Sequence, residues 1–392
     1  MIEAPERSVA VLPFADLSQD RDQEYFADGI SEELLNLLAR IPELKVAART
    51  SSFSFRGKDV AIPEIARQLH VAHVLEGSLR KSGSRVRITA QLIHAADGFH
   101  VWSSAYDREL DDIFAIQDEI AADVVRELRI TLLRGAPRVR TTDTEAYALY
   151  LRAAHLGRRA NSEAFVQSDE LFRRALAIDP EYAPAWEGLA RNYINKAAIG
   201  LLSNEEAHSL AREAALKALA IDADYAPAHV QLGWIAMSEE NDLAAAARHF
   251  ERALELDGSD LGVLGNAASL LMSLGRLEEA LELQETVVGR DPVNVTSLYI
   301  LATAQLWAGR FDAAIASYRT VLDLNPDRGG AHYGLGVAFL LAGDAISSLA
   351  EFERERTSWR RIGLPMAYHA LGRTADADAA VVELVESDAS DA

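Results

Sequence analysis

The sequence predicts two architectures in one chain: an α/β sandwich domain over residues 1–135 and an all-α solenoid of helical hairpins over 143–392, joined by a linker at 136–142. Three observations predict this. Short apolar runs bounded by turn residues dominate the front, whereas Ala- and Leu-rich segments with helical spacing fill the back. The stretch Arg134-Gly-Ala-Pro-Arg-Val-Arg-Thr-Thr142 breaks helical periodicity between them. Charge changes at the same place: residues 1–140 hold 18 Lys+Arg and 22 Asp+Glu, leaving 21 and 38 for the remainder.

Ser8-Val-Ala-Val-Leu-Pro-Phe14 has the length and apolarity of a strand covered on both faces. Ser31–Arg40 has helical spacing, with Ser31 as its expected cap and acids in the first turn. Leu44–Ala48 reads as a strand and Ile62–Leu69 as a short helix. A meander follows, with strands at Ala72–Lys81, Arg85–Ala95 and Phe99–Asp107. Ser82-Gly83-Ser84 and Ala96-Asp97-Gly98 supply its turns. A helix over Asp111–Leu133 closes the domain.

Behind the linker the chain repeats. Asp179-Pro180, Asp222-Ala223, Asp257-Gly258, Asp291-Pro292 and Asn325-Pro326 fall 43, 35, 34 and 34 residues apart, so one unit carries an insertion of about nine residues. Trp186-x-x-Leu189-Ala190-x-x-Tyr193 gives a first-helix pattern, echoed by His229-x-x-Leu232-Gly233 and His332-x-x-Leu335-Gly336-x-x-Phe339. Second helices place a small residue, an aromatic and a further small or β-branched residue at Ser168, Phe172, Ala175 and at Ala314, Tyr318, Val321. Small positions let paired helices approach and aromatic ones fill the space between them. Gly275, Gly309, Gly343 and Gly372 end first helices. A period near 34 with this pattern marks tetratricopeptide repeats, about seven of them, the first and last degenerate.

Composition excludes whole classes of function. Zero cysteines removes disulfides, thiolate metal sites and cysteine nucleophiles. A net charge of −21 argues against broad nucleic-acid binding, which needs a basic surface. No apolar run approaches eighteen residues, and the first eight lack a basic-then-apolar secretory start. The chain as written therefore reads as soluble and cytoplasmic, or as periplasmic if a membrane helix precedes it in the native protein.

Several front-domain segments are long enough to resemble one bacterial family: Ser8–Phe14, Glu24-Tyr-Phe-Ala-Asp-Gly-Ile-Ser-Glu-Glu-Leu34, Ala48-Arg-Thr-Ser-Ser-Phe53, Leu75-Glu-Gly-Ser78, Arg85–Leu92 and Phe114-Ala-Ile-Gln-Asp-Glu-Ile120. The front domain resembles the TolB amino-terminal-like domain, similar in fold to the FlgO and CsgG envelope proteins. With tetratricopeptide repeats behind it, the resemblance covers essentially the whole chain. It implies a sensory or scaffolding module. Such pairs occur in the regulatory halves of class III adenylate or guanylate cyclases and of winged-helix regulators. This sequence starts almost at the first strand, so no such effector is expected within it.

Catalytic motifs are missing: GxxxxGK[ST], HExxH and GxSxG do not occur, and the ten histidines are scattered in sequence. No enzyme, cofactor or metal is expected. Asp20-x-Asp22-x-Glu24 departs from a calcium loop, with Tyr25 where glycine is required and Ser31 at the twelfth position, and reads as a solvated acidic loop. Gly334-Leu-Gly336 follows no strand and reads as close helix packing. Arg80, Lys81, Arg85 and Arg87 flank a hairpin turn and read as edge protection rather than as a site for an acidic partner. The expected site is the groove lined by first helices, with Arg191, Trp234, Met237, Asn266, Tyr299, Tyr333 and Leu340 directed towards it. Packing between repeats is the competing role for Trp234 and Tyr299, because a one-residue error in register turns a side chain by about 100°. The expected partner is an apolar or amphipathic protein segment, with a second copy of this chain as a further candidate and no nucleic acid. So short a linker also predicts that the front domain packs on the repeats.

Overall fold

The computed structural model describes residues 4–390 except 21, 42, 129 and 131–140, and only the backbone of 387–390. The chain divides into two compact units, Met1–Leu270 and Leu271–Ala392.

The first unit begins with a mixed sheet. Strands β1 (Ser8–Val11), β2 (Ala15–Asp16), β3 (Lys45–Val46), β4 (His73–Ser82), β5 (Arg85–His94) and β6 (His100–Glu109) take the order β3-β1-β4-β5-β6, with β2 beside β4. β1 pairs in parallel with β3 and β4, so Val9–Val11 are fully buried, as its unbroken apolar run predicts. β4, β5 and β6 form the expected antiparallel meander. Gly83, in the left-handed region at φ +59°, closes its first hairpin. Helices α1 (Glu24–Ala39), α2 (Arg49–Phe53), α3 (Ile62–Leu69) and α4 (Ile113–Glu127) cover the sheet. β2 and α2 have too few residues to leave a periodic signal. Of the expected linker, residues 136–140 lie outside the described residues, as do 131–133, where α4 was expected to end.

One expectation fails instructively. α1 starts at Glu24, and Ser31 lies in its middle rather than at its cap. The Ser31 hydroxyl is fully buried, donates to the Ala27 carbonyl (2.9 Å) and accepts from the Phe14 N–H (2.9 Å), tying α1 to the end of the β1 segment. A serine so placed bonds back along its own helix, a local pattern that sequence does not separate from capping.

The remaining helices are α5 (Thr144–Gly157), α6 (Ser162–Ile178), α7 (Ala183–Ala198), α8 (Asn204–Ile221), α9 (Ala226–Ser238), α10 (Leu243–Asp257) and α11 (Leu261–Ser273). α12 (Leu277–Arg290), α13 (Val295–Trp307), α14 (Phe311–Leu324), α15 (Ala331–Leu341), α16 (Ala345–Arg354), α17 (Trp359–Ala370) and α18 (Thr374–Ser390) complete the chain. Asp179, Asp222, Asp291 and Asn325 each follow the last residue of a second helix. Their side chains have a reason to be Asp or Asn: Asp179 accepts from the Glu181 N–H (3.0 Å), Asp222 from Asp224 (3.0 Å) and Asn325 from Asp327 (3.1 Å). The 43-residue step is absorbed by long α7 and α8 helices and the loop 199–203 between them.

Packing within the repeats rests on rings against glycines. A Cβ on Gly188 would lie 2.3 Å from Phe172, one on Gly233 2.7 Å from Phe250, and one on Gly334 2.4 Å from Tyr318. Phe352 fills the space left by both Gly336 and Gly363. The four rings are at most 1% exposed.

In the first unit the main apolar core runs continuously from the sheet through α1 into α5, α7 and α9. α1 and α5 come close at Gly29, where a Cβ would lie 2.5–2.9 Å from three atoms of the Leu151 side chain. Alanine for glycine stabilises an ordinary helix interior by about 1 kcal/mol. At this site overpacking reverses the sign, and Gly29→Ala is expected to destabilise by about 1–2 kcal/mol. In a Leu151→Ala background, which itself costs about 2–5 kcal/mol, the same change becomes stabilising. Urea denaturation of the four proteins checks this reversal.

Candidate protein-binding surface

The seven groove candidates fall in both units. Arg191, Trp234, Met237 and Asn266 belong to the first, and Tyr299, Tyr333 and Leu340 to the second. In the first unit the face presented by the first helices is in contact with α1. That helix packs beside α5, where Gly29 meets Leu151, and Arg40, the residue that follows it, lies 3.8 Å from Asp257, the last residue of α10. It is clamped by charge along its length. The buried Asp28 carboxylate faces His155 Nδ1 at 3.5 Å and pairs closely with Arg56. Burial alone would raise its pKa, but the hydrogen bonds from His155 and Arg56 hold it below the usual value. Glu32 accepts from Arg49 (3.0 Å) and from Arg158 (3.0 Å). The Gln117 amide donates to the buried Tyr147 hydroxyl (3.0 Å), and the Phe114 ring lies 4.8 Å from that of Tyr147.

These contacts give the front-domain motifs a shared purpose. Asp28, Gly29 and Glu32 come from the Glu24–Leu34 segment, Arg49 from Ala48–Phe53, and Phe114 and Gln117 from Phe114–Ile120. All of them meet at the face that receives the first repeat. The expected packing of the front domain on the repeats is what the first unit displays.

Arg191 stands on α7 at the edge of this contact. It pairs with Glu187 at 3.4 Å, and the charge of Glu187, before that of Tyr150 and Glu32, raises its pKa. Trp234 and Met237 are half-buried, and the Asn266 amide donates to the Gly262 carbonyl (2.8 Å). In the second unit Tyr299 packs edge-on against Tyr318, with the Arg328 guanidinium 4.6 Å over its ring. Tyr333 lies between Phe352 and Trp359 and donates its N–H to Glu355 (3.1 Å). Packing thus engages both tyrosines, and Leu340 is half-buried.

Sequence reasoning missed an apolar edge. Trp307 ends α13 and Leu341 ends α15, one repeat period apart, and they are 58% and 55% exposed. The signal was their position two residues before Gly309 and Gly343, just where a first helix runs out. A polar cleft of about 680 Å³ in the same unit is lined by Arg328, His332, Arg354, Arg356 and Arg360 among others. Arg356 pairs with Asp327 (2.5 Å) and Arg354 with Glu351 (3.0 Å), so those two charges are already matched.

The other sequence candidates resolve simply. β4 and β5 are each paired on both sides, so these cations do not guard a sheet edge as expected; Arg85 pairs with Asp107 of β6 (2.6 Å) and Lys81 lies 5.5 Å over Phe26. Glu24 pairs with Arg56. Gly334 and Gly336 serve close packing, as expected. The histidines, scattered in sequence, do meet in space: His73 stands opposite His94 with Glu6 beside them, and His229 Nδ1 is 3.1 Å from His249 Nδ1. No helix among the described residues is long and apolar enough to cross a membrane.

Comparison with known proteins agrees with the repeat architecture. Tetratricopeptide-repeat family profiles match residues 237–306 and 299–360. A putative adenylate cyclase 3 of Rhizobium meliloti (strain 1021) is 41% identical over 187 residues, 47% of this chain and 32% of that protein. A tetratricopeptide repeat and J domain-containing co-chaperone, DNJ1, of Fusarium oxysporum f. sp. lycopersici is 32% identical over 124 residues, 32% of this chain and 24% of its own length. This chain therefore spans a third or less of these curated relatives. Among solved structures, the type IV pilus biogenesis factor PilW is similar at 16% identity and TM-score 0.44, covering 55% of this chain and 93% of its own. YrrB, described as a tetratricopeptide protein with an unusual peptide-binding site, has 21% identity and TM-score 0.37, covering 52% and 99%. The chain combines a small mixed sheet with helical hairpins, of which residues 237–306 and 299–360 match tetratricopeptide-repeat profiles.

One carboxylate at the α1 contact is poised to titrate. Glu33 sits near Tyr147, Tyr150 and Tyr182; burial first, and the neighbouring Glu32 second, push its pKa up to about 7. Its ordinary value is 4.5, so between these values the folded chain holds a proton that the unfolded chain has released, and stability falls as pH rises through the window. Glu33→Gln is expected to be more stable than wild type at pH 8, with the gain shrinking steadily towards pH 5. Thermal unfolding across that range measures it.

Proposed function

We propose that this chain is a non-enzymatic scaffold whose repeats bind an apolar or amphipathic segment of a protein partner. One observation carries the reading: Trp307 and Leu341, on successive repeats, are large apolar side chains held in solvent at equivalent positions. Isolated exposed apolar residues are ordinary, but a pair recurring at the repeat period presents a ready-made anchor row to a partner. Trp234, Met237, Tyr299, Tyr333 and Leu340 are half-buried and offer their remaining surface, while Arg191 and Asn266 contribute polar groups. On this reading the front domain, TolB-like in its motifs, acts by covering the first repeats with α1.

A second reading has its own support. The 41% identity to a protein named as a putative adenylate cyclase favours a role as the regulatory portion of a nucleotide cyclase. The front domain and repeats would then transmit a partner's binding to a catalytic domain elsewhere on the protein.

Cross-linking of the purified chain in extract from its source, followed by mass spectrometry, separates groove from edge. Trp307→Ser with Leu341→Ser is expected to abolish partner capture while leaving the melting temperature within about 2 °C, since solvent-exposed substitutions cost little. Capture unchanged in that variant but lost in Trp234→Ala with Tyr299→Ala moves the site to the groove. Capture unchanged in both removes the repeats from the account. For the second reading, Gly29→Leu introduced into the native gene is expected to change cyclic nucleotide output, and an unchanged output discards it.

A further inference from the structure

One corner of the front sheet gathers groups that no repeat motif uses. His73 is the first residue of β4 and His94 the last of β5, and the antiparallel register sets them directly opposite, with ring centroids 5.3 Å apart. The segment before β1 is held against the same corner by Ser8. Its hydroxyl donates to the Pro5 carbonyl and accepts from the Ala72 N–H (2.8 Å), so Glu6 is brought alongside the residue that follows Ala72. One donor atom each from Glu6, His73 and His94 lies within 4.8 Å of the other two.

We propose that Glu6, His73 and His94 form a zinc-binding site that fastens the segment before β1 to strands β4 and β5. Two imidazole nitrogens and a carboxylate are a donor set suited to zinc, with the fourth position left to water. Donor atoms around tetrahedral zinc stand about 3.4 Å apart, within reach of small side-chain rotations from the arrangement observed. Two further features fit a metal ligand better than a packing residue. His94 Nδ1 faces the Asp97 carboxylate at 3.2 Å, which leaves Nε2 as the free nitrogen; a carboxylate behind a ligating histidine is the usual means of fixing its ring. His73 is 5% exposed, and its Nδ1 is buried without a hydrogen-bond partner. A buried polar atom left in that state costs free energy unless a ligand engages the ring. Among the described residues the His229–His249 pair has no third ligand of this kind, and it serves as an internal control.

The test uses the purified 392-residue chain, stripped with chelator and then titrated with zinc and, separately, with cobalt. Bound zinc is read by elemental mass spectrometry and the cobalt site by its visible absorption. One equivalent of zinc per chain and tetrahedral cobalt bands are expected. Glu6→Gln and His94→Gln should each weaken zinc binding at least a hundredfold, Asp97→Asn about tenfold as an outer-shell change, and His249→Gln not at all. Wild type without stoichiometric zinc, binding retained in folded His94→Gln, or binding lost in His249→Gln would each overturn the proposal. Should His94→Gln fail to fold by circular dichroism, Glu6→Gln decides alone, because Glu6 is exposed and lies outside the strands.

Discussion

A tetratricopeptide hairpin cannot bury its own apolar face. Each leaves one side uncovered, and stacking transfers the problem to the next unit until something different ends the array. At the front of this chain that something is α1. Its approach to α5 depends on a single missing side chain, at Gly29, whose Cβ would occupy the place of Leu151. With the approach allowed, the sheet, α1 and the first repeats share one core. The ion pairs of the half-buried Glu32 then add orientation more than strength, whereas the buried Asp28 carboxylate depends on Arg56 and His155 as its partners.

The repeats solve the same packing problem by another local device. An aromatic ring from one helix takes the place of a side chain that a glycine on a neighbouring helix lacks. Buried polar groups then fix the mutual position of the helices. The Asn192 amide donates to Ser168 (2.8 Å) and to Asp169 (2.9 Å), Lys196 pairs with Asp169, and Ser168 donates to the Ala153 carbonyl (2.8 Å). Ser168 is thus more than a small residue permitting close approach. A network so enclosed tolerates no partial loss, because the remaining charge would stay buried and unpaired.

The candidate site was less legible than the fold. Repeat spacing identifies first helices but not how a neighbouring domain uses them, so it puts Arg191 in the groove with no sign that α1 lies alongside. Tyr299 and Tyr333 have aromatic neighbours supplied by other helices, which a one-dimensional pattern does not contain. The His73–His94 pairing, by contrast, was available in principle. A hairpin closed at Gly83-Ser84 pairs residues equidistant from the turn, and these two are each ten positions away. What strand register leaves out is Glu6, brought in by the Ser8 hydroxyl from a segment outside any element.

The sequence by itself determined the order of the longer elements and the glycine, aromatic and aspartate positions that make the hairpins. These follow from local chemistry: backbone conformation, helix termination and the period of apolar residues. The tertiary structure alone decided that the separate front segments meet on the face of the first repeat, that Ser31 bonds sideways instead of capping, and that Trp307 and Leu341 remain in solvent. Each of these depends on which surfaces face one another. That is set by the summed packing of residues far apart in the chain, and no window of sequence contains it.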